Sequence, residues 1–157
     1  MMTLDYTDIR ILEALQKDAK MNIKDLADQL HMTKTPVYER IKKLEKEGII
    51  ERYVALIDKA KISPYITVFC SVSLDMQKAE NLHMFDTAIK QLPEVVECYL
   101  TGGVADYLMK VIVRDLKGYH EFASGKLAKL PHVVQIKSSF VLSEIKYQTS
   151  IPDEILQ

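Results

Sequence analysis

The stretch Ile23–Leu44, IKDLADQLHMTKTPVYERIKKL, constrains the fold more than any other. Ile23, Leu26, Ala27 and Leu30 recur at the spacing of one helical face, and Val37, Ile41 and Leu44 repeat the pattern after a break. Only His31-Met32-Thr33 separates the two runs. A connection that short does not let two helices lie antiparallel over any length, so they must cross steeply. The pattern therefore predicts a helix-turn-helix, whose second helix can enter a DNA major groove.

A preceding helix completes the unit. Asp5 is placed as an N-cap, and Ile9, Ile11, Leu12 and Leu15 form an apolar stripe that runs to Lys17. Asn22 caps the second helix and Thr33 the third. Pro36 then falls in the first turn, where its missing N–H costs nothing. Lys42, Lys43 and Lys46 favour the negative end of the helix dipole, and Gly48 suits the position just past it. His31 occupies a turn position that calls for positive φ, normally glycine's place. Ile49–Asp58 is β-branched and aromatic enough to predict a strand or hairpin, which would make this head winged.

The second half changes rhythm at the linker Lys59–Pro64. Ile66–Leu74 alternates as a strand, Ala79–Leu92 is helical, and Val95–Thr101 and Asp106–Val113 are strands around a turn at Gly102–Ala105. Leu116–Leu130 is a second helix, and Val133–Lys146 a long last strand. The order β-α-β-β-α-β is the ferredoxin-like arrangement. The expected architecture is α+β: a winged helix-turn-helix head over 1–58, a strand linker over 59–65, a ferredoxin-like effector-sensing and oligomerisation domain over 66–147, and a C-terminal tail over 148–157. In such a domain both helices cover one sheet face. Strand residues Leu108 and Ile112 keep the other face apolar, so a second copy is expected to cover it as a homodimer.

The net charge of −1 does not advertise nucleic-acid binding. Its distribution does so weakly: residues 1–61 carry 12 Lys/Arg against 11 Asp/Glu, and His31–Lys46 five basic residues against two acids. Affinity should then come from several copies acting together. With Val37, Ile41 and Leu44 turned inward, Lys34, Thr35, Tyr38 and Glu39 are the candidates for base edges. Lys42, Lys43 and Arg52 are the candidates for phosphates, while Arg40 lies between buried positions and stays ambiguous.

Other chemistry is thinly represented. The four histidines have no metal-ligand spacing, and neither a phosphate-binding loop nor a nucleophile elbow appears. No metal or cofactor is expected, and enzymatic activity is not. Cys70 and Cys98 read as buried reduced thiols. No segment nears the roughly 20 apolar residues that span a bilayer, nor does the N-terminus resemble a signal peptide, so a cytoplasmic, nucleoid-associated protein is expected. Gly102-Gly103 reads either as a plain β-turn or as a small-ligand contact with Asp106 beside it.

Taken together, LDYTDIRILEALQKDAK, DLADQLHMTKTPVYERIKKLEKEGII, LPEVVECYLTGGVADYLMKVIVRDL and LPHVVQIKSSFVLSEIK resemble the Lrp/AsnC family of transcriptional regulators over nearly the whole chain. The resemblance implies double-stranded DNA as partner, dimers that assemble into octamers or related rings, and an amino acid or similar small molecule bound between dimers. Gly103, Asp106 and Tyr107 match the family's G-D-x-D-Y turn, and Ser138 a Thr or Ser on the last strand that helps line the effector pocket. Val104 stands where an acid is common and Ala105 where an aromatic is frequent. The implied effector residues are thus Gly103, Val104, Asp106, Tyr107 and Ser138. The alternative is a nucleoid-structuring protein that wraps DNA without an effector.

Overall fold

The computed structural model describes residues 3–75 and 79–156, which divide into two units, Met1–Ile57 with Lys146–Gln157, and Asp58–Ile145. The first unit holds α1 (Tyr6–Lys17), α2 (Ile23–Gln29) and α3 (Lys34–Lys46). Asp5 caps α1 in a reciprocal box: its carboxylate accepts from the Asp8 N–H at 2.9 Å, and Asp8 accepts from the Asp5 N–H at 3.2 Å. Asn22 caps α2 through the Asp25 N–H, at 2.9 Å. Thr33 occupies the N-cap of α3, but its hydroxyl makes no capping bond.

The exits of α2 and α3 use the same device. His31 has φ 53°, and the N–H groups of His31 and Met32 donate to the Asp28 and Ala27 carbonyls of α2. Gly48, with φ 72°, does the same after α3, where the Gly48 and Ile49 N–H groups donate to Glu45 and Leu44. This left-handed closure satisfies carbonyls that a helix end would otherwise orphan. It turns the chain sharply enough to set α3 across α2. Ile11, Leu26, Ala27, Val37 and Leu44 are almost fully buried between the three helices. At about 1.5–3 kcal/mol for each large aliphatic side chain, that cluster is what holds a head this small together.

Two expectations for this unit fail. Ile49–Asp58 forms neither a strand nor a hairpin among the described residues. The segment has no turn residue at its centre, and a strand without a partner gains no ladder bonds. Residues 148–157, expected as a tail, instead belong to the head: Leu156 packs against its core, and the Ile151 N–H donates to Gln16 at 2.7 Å.

The second unit has β1 (Ile66–Leu74), α4 (Ala79–Ile89), β2 (Val95–Leu100), β3 (Tyr107–Val113), α5 (Leu116–Gly125) and β4 (Val133–Phe140). The sheet order is β2-β3-β1-β4, antiparallel throughout. Val68, Cys70, Val72 and Leu74 of β1 and Tyr107, Met109, Val111 and Val113 of β3 form one buried core with Phe85, Tyr119, Phe122 and Leu127. Alternation sends the remaining strand residues to the opposite face. There Phe69, Tyr99 and Leu108 are exposed, around an ion pair of 2.9 Å between Lys110 and Glu97.

The second helix is shorter than its apolar spacing predicts. It stops at Gly125, and a 3-10 turn over Leu127–Lys129 carries Leu127 into the core. Glycine is a poor interior helix residue. The last strand likewise ends at Phe140, because β1 offers partners only as far back as Thr67 and Val68. Leu142 and Ile145 beyond it are exposed. Lys59–Lys61, inside the expected linker, forms one 3-10 turn, with Lys59 paired to Glu144 at 2.5 Å. No helix among the described residues is long and apolar enough to cross a membrane.

Candidate functional site

One side of α3 is committed to the core and the other is open. Lys34, Thr35, Tyr38, Glu39, Lys42 and Lys43 are all exposed, and Tyr38 shows 47% of its surface. These are the recognition candidates named from sequence, and they fall on one outward surface, with Arg52 exposed in the segment that follows.

Their charges are not equivalent. Lys42 Nζ lies 2.7 Å from Glu45 and 5.7 Å from the centre of the Tyr38 ring. The Glu45 bond raises the ammonium pKa, and in turn Lys42, with help from the Tyr53 hydroxyl at 3.0 Å, lowers that of Glu45. Lys42 is therefore held in place and partly neutralised. Lys34, Lys43 and Lys46 have no ion-pair partner among the described residues and remain available to an anionic backbone.

Arg40, ambiguous in sequence, is not part of that surface. Its Nη1 donates to Asp5 Oδ2 and to Asp8 Oδ1, each at 2.6 Å, and so clamps the middle of α3 onto the cap of α1. Asp8, with its side chain only 4% exposed, is the buried end of the clamp. The cap bond from the Asp8 N–H, then Arg40, holds the Asp5 carboxyl below its ordinary pKa, and the two aspartates raise that of Arg40. Of the five basic residues counted near α3, one is structural. Nothing local in the sequence marks it, because its partners lie more than thirty positions away.

The effector candidates scatter in a way that their sequence neighbourhood hides. A cleft of about 260 Å³ opens on the bare sheet face, lined by Ser71, Ser73, Leu108, Gln135 and Lys137 beneath the turn Thr101–Ala105. Gly103 and Val104 border it, with Val104 91% exposed. Tyr107 also borders it, yet its ring is buried against Phe85 and its hydroxyl donates to Asp86 at 2.8 Å. Asp106 is buried: its carboxylate accepts the Leu74 N–H at 2.7 Å, tying the turn to β1. Ser138 pairs with Cys70 and hydrogen-bonds the Tyr119 hydroxyl on the helix side. Asp106 and Ser138 are thus not among the residues lining this cleft.

Sequence reasoning did not single out Ser71, Ser73, Thr101, Gln135 or Lys137. Period-two alternation in β1 and β4 was the available signal, since those positions share the parity opposite to the buried one. Register then joins them: Ser71 opposes Lys137 and Ser73 opposes Gln135. Such pairs have β-carbons roughly 5 Å apart. A second hollow, of about 480 Å³, lies beside β2 and α4 and is lined by Asp86, Lys90, Glu97 and Cys98 among others. Both cysteines are free, and burial pushes their thiol pKa values up. Cys70 Sγ sits 3.3 Å from the Tyr119 hydroxyl, so it reads as packing rather than chemistry.

Comparison with known proteins bears on both halves. Residues 4–51 match a winged helix-turn-helix DNA-binding domain, and residues 67–151 match the Lrp/AsnC ligand binding domain. The Bkd operon transcriptional regulator of Pseudomonas aeruginosa is 36% identical over 152 residues, 97% of this chain and 99% of that protein. The leucine-responsive regulatory protein of Escherichia coli is 33% identical over 143 residues, 91% and 87% of the two. A transcriptional regulator of Neisseria meningitidis, solved in complex with L-methionine, superposes with a TM-score of 0.91 at 32% identity, covering 99% of this chain and 100% of its own. With a helix-turn-helix head and a ligand-binding domain matched across almost the full length, the chain belongs to the Lrp/AsnC family of DNA-binding transcriptional regulators.

Proposed function

We propose that α3 reads double-stranded DNA in the major groove, with Lys34, Thr35, Tyr38 and Glu39 at base edges and Lys42, Lys43 and Arg52 on phosphates. The observation that carries this reading is the division of α3: Val37, Ile41 and Leu44 are buried, while the whole N-terminal outward face is exposed. Base readout in a helix-turn-helix concentrates at that N-terminal end. A few available lysines give weak binding per copy, so repetition must supply affinity. The exposed Phe69, Tyr99 and Leu108 support pairing of the ligand domains as a homodimer, and dimers in turn assemble into an octamer or another ring.

Control is assigned to the cleft beneath Thr101–Ala105, where an amino acid or similar small molecule binds and biases the assembly. The L-methionine complex of the Neisseria relative supports a ligand of this size class. The protein acts in the cytoplasm on nucleoid DNA. Selection of bound sequences from a random DNA pool, with and without a panel of twenty amino acids, tests the proposal. A motif of two half-sites, spaced by a helical turn or its multiples, is the expected result, with its enrichment shifted by effector. A pool retained without any motif would instead establish a nucleoid-structuring protein that wraps DNA.

A further inference from the structure

Four side chains are linked along the last turns of α3. The Tyr53 hydroxyl donates to Glu45 Oε1 at 3.0 Å, and Lys42 Nζ donates to Glu45 Oε2 at 2.7 Å. The same ammonium lies 5.7 Å from the centre of the Tyr38 ring. Both oxygens of Glu45 are thus engaged, one from within the helix and one by a residue beyond its end. Among Lys34, Lys42, Lys43 and Lys46, Lys42 alone has an ion-pair partner among the described residues.

Helix stability does not account for this arrangement. Glu45 sits in the last turn of α3, where the negative end of the dipole disfavours an acid and where Lys43 and Lys46 already supply favourable charge. An exposed pair three residues apart adds little by itself. The consequence for an incoming anion is larger. A DNA phosphate approaching the Lys42 ammonium meets Glu45 Oε2 already 2.7 Å from it. The two anions repel, and the Tyr53 bond keeps the carboxylate from swinging aside. The cost falls on any duplex, because phosphates carry no sequence.

We infer that Glu45 is a built-in competitor with DNA for Lys42, lowering the affinity of each head for any duplex, and that Tyr53 is the positioning residue that holds it there. The inference rests on the reading of α3 as the DNA-facing helix and names the group that keeps one copy from binding firmly. Stable binding then depends on several heads engaging together.

Fluorescence anisotropy of the full chain on a mixed-sequence duplex of about three helical turns, in salt from about 50 to 200 mM, tests this. Glu45→Gln should bind at least about fivefold more tightly at the low-salt end. Its plot of log affinity against log salt should steepen by about one for each head engaged, since one more phosphate is neutralised. Tyr53→Phe changes no charge and should shift both readings the same way, by less. Lys42→Met in the Glu45→Gln background should remove most of the gain. Glu47→Gln makes the same charge change at an exposed acid two residues on and should give well under half of it. Melting temperatures check that each variant is folded; if Glu45→Gln is not, Tyr53→Phe carries the test.

An equal gain from Glu47→Gln, or a gain that survives Lys42→Met, would reduce Glu45 to net charge and overturn the inference. Parent behaviour in Tyr53→Phe would overturn the role of Tyr53. Parent behaviour in Glu45→Gln as well would overturn the whole inference. If Lys34→Met and Lys43→Met then weaken binding, α3 still faces DNA; if they do not, that reading falls with it.

Discussion

Removing the guanidinium that clamps α3 to α1 should loosen α3 without touching its exposed outward face. In Arg40→Met the apolar stem is kept and two bonds of 2.6 Å are lost. The bond to Asp5, whose side chain is half exposed, contributes about 0–1 kcal/mol. The bond to Asp8 matters more, because that carboxylate is left buried with little besides the Asp5 N–H to bind it. Breaking a fully buried pair costs about 3–5 kcal/mol. The Arg40 side chain is 32% exposed, so water screens part of this one, and about 2–3 kcal/mol in total is the expected loss. Hydrogen exchange read separately for each unit is the assay. Amides of α3 should exchange roughly 30- to 150-fold faster, while those of β1 and β3 should be unchanged. Adding Asp8→Asn removes the stranded charge and should recover about half of the loss. Exchange of α3 within about threefold of the parent would refute the clamp, since that corresponds to a surface pair of well under 1 kcal/mol.

Asp5, held below the ordinary carboxylate pKa by the Asp8 N–H and then Arg40, stabilises the head when ionised. That contribution is complete above about pH 4 and is lost as pH falls through the lowered folded value, so α3 protection should decline below about pH 4. Tyr38→Ala should weaken DNA binding by about 1–3 kcal/mol in a gel-shift titration and leave the melting temperature within a few degrees, because nearly half of the ring is already in solvent. Asp106→Ala removes a buried charge-assisted bond to the Leu74 N–H, and the ligand domain should lose about 2 kcal/mol in urea unfolding. Tyr119 is pushed up to about 12, chiefly by burial. Its raised pKa stabilises the fold below the unfolded value near 10, and that stability should drain away as pH rises from about 10 towards 12, less so in Tyr119→Phe.

Local features were legible in the sequence. The spacing of Leu26, Ala27, Val37, Ile41 and Leu44 located two helices and their buried sides, and Asp5 and Asn22 announced their caps. Strand parity in β1 and β3 sorted Val68, Cys70, Tyr107 and Met109 onto one face. What stayed hidden depends on partners that no local window contains. Arg40 stayed ambiguous because its partners, Asp5 and Asp8, lie at the start of another helix. Ser138 was named through the family resemblance, and only the register shows that it lies opposite Cys70. The strand expected at Ile49–Asp58 is missing for the converse reason: the segment has strand propensity and no partner strand among the described residues.

The place of β1 inside the sheet has a consequence for how the protein is made. It is the first strand to emerge, yet both of its neighbours come later: Val68 must wait for Val111 on one side and for Phe140 on the other. Contacts that distant in sequence slow closure, and until they form β1 exposes two unsatisfied edges. The head is delayed in the same way, since Leu156 and the Ile151 N–H are the last pieces to reach its core and Gln16. Synthesis therefore runs almost to the end of this sequence before either unit can close. The interval in which two copies could trade strands rather than each completing its own is correspondingly long.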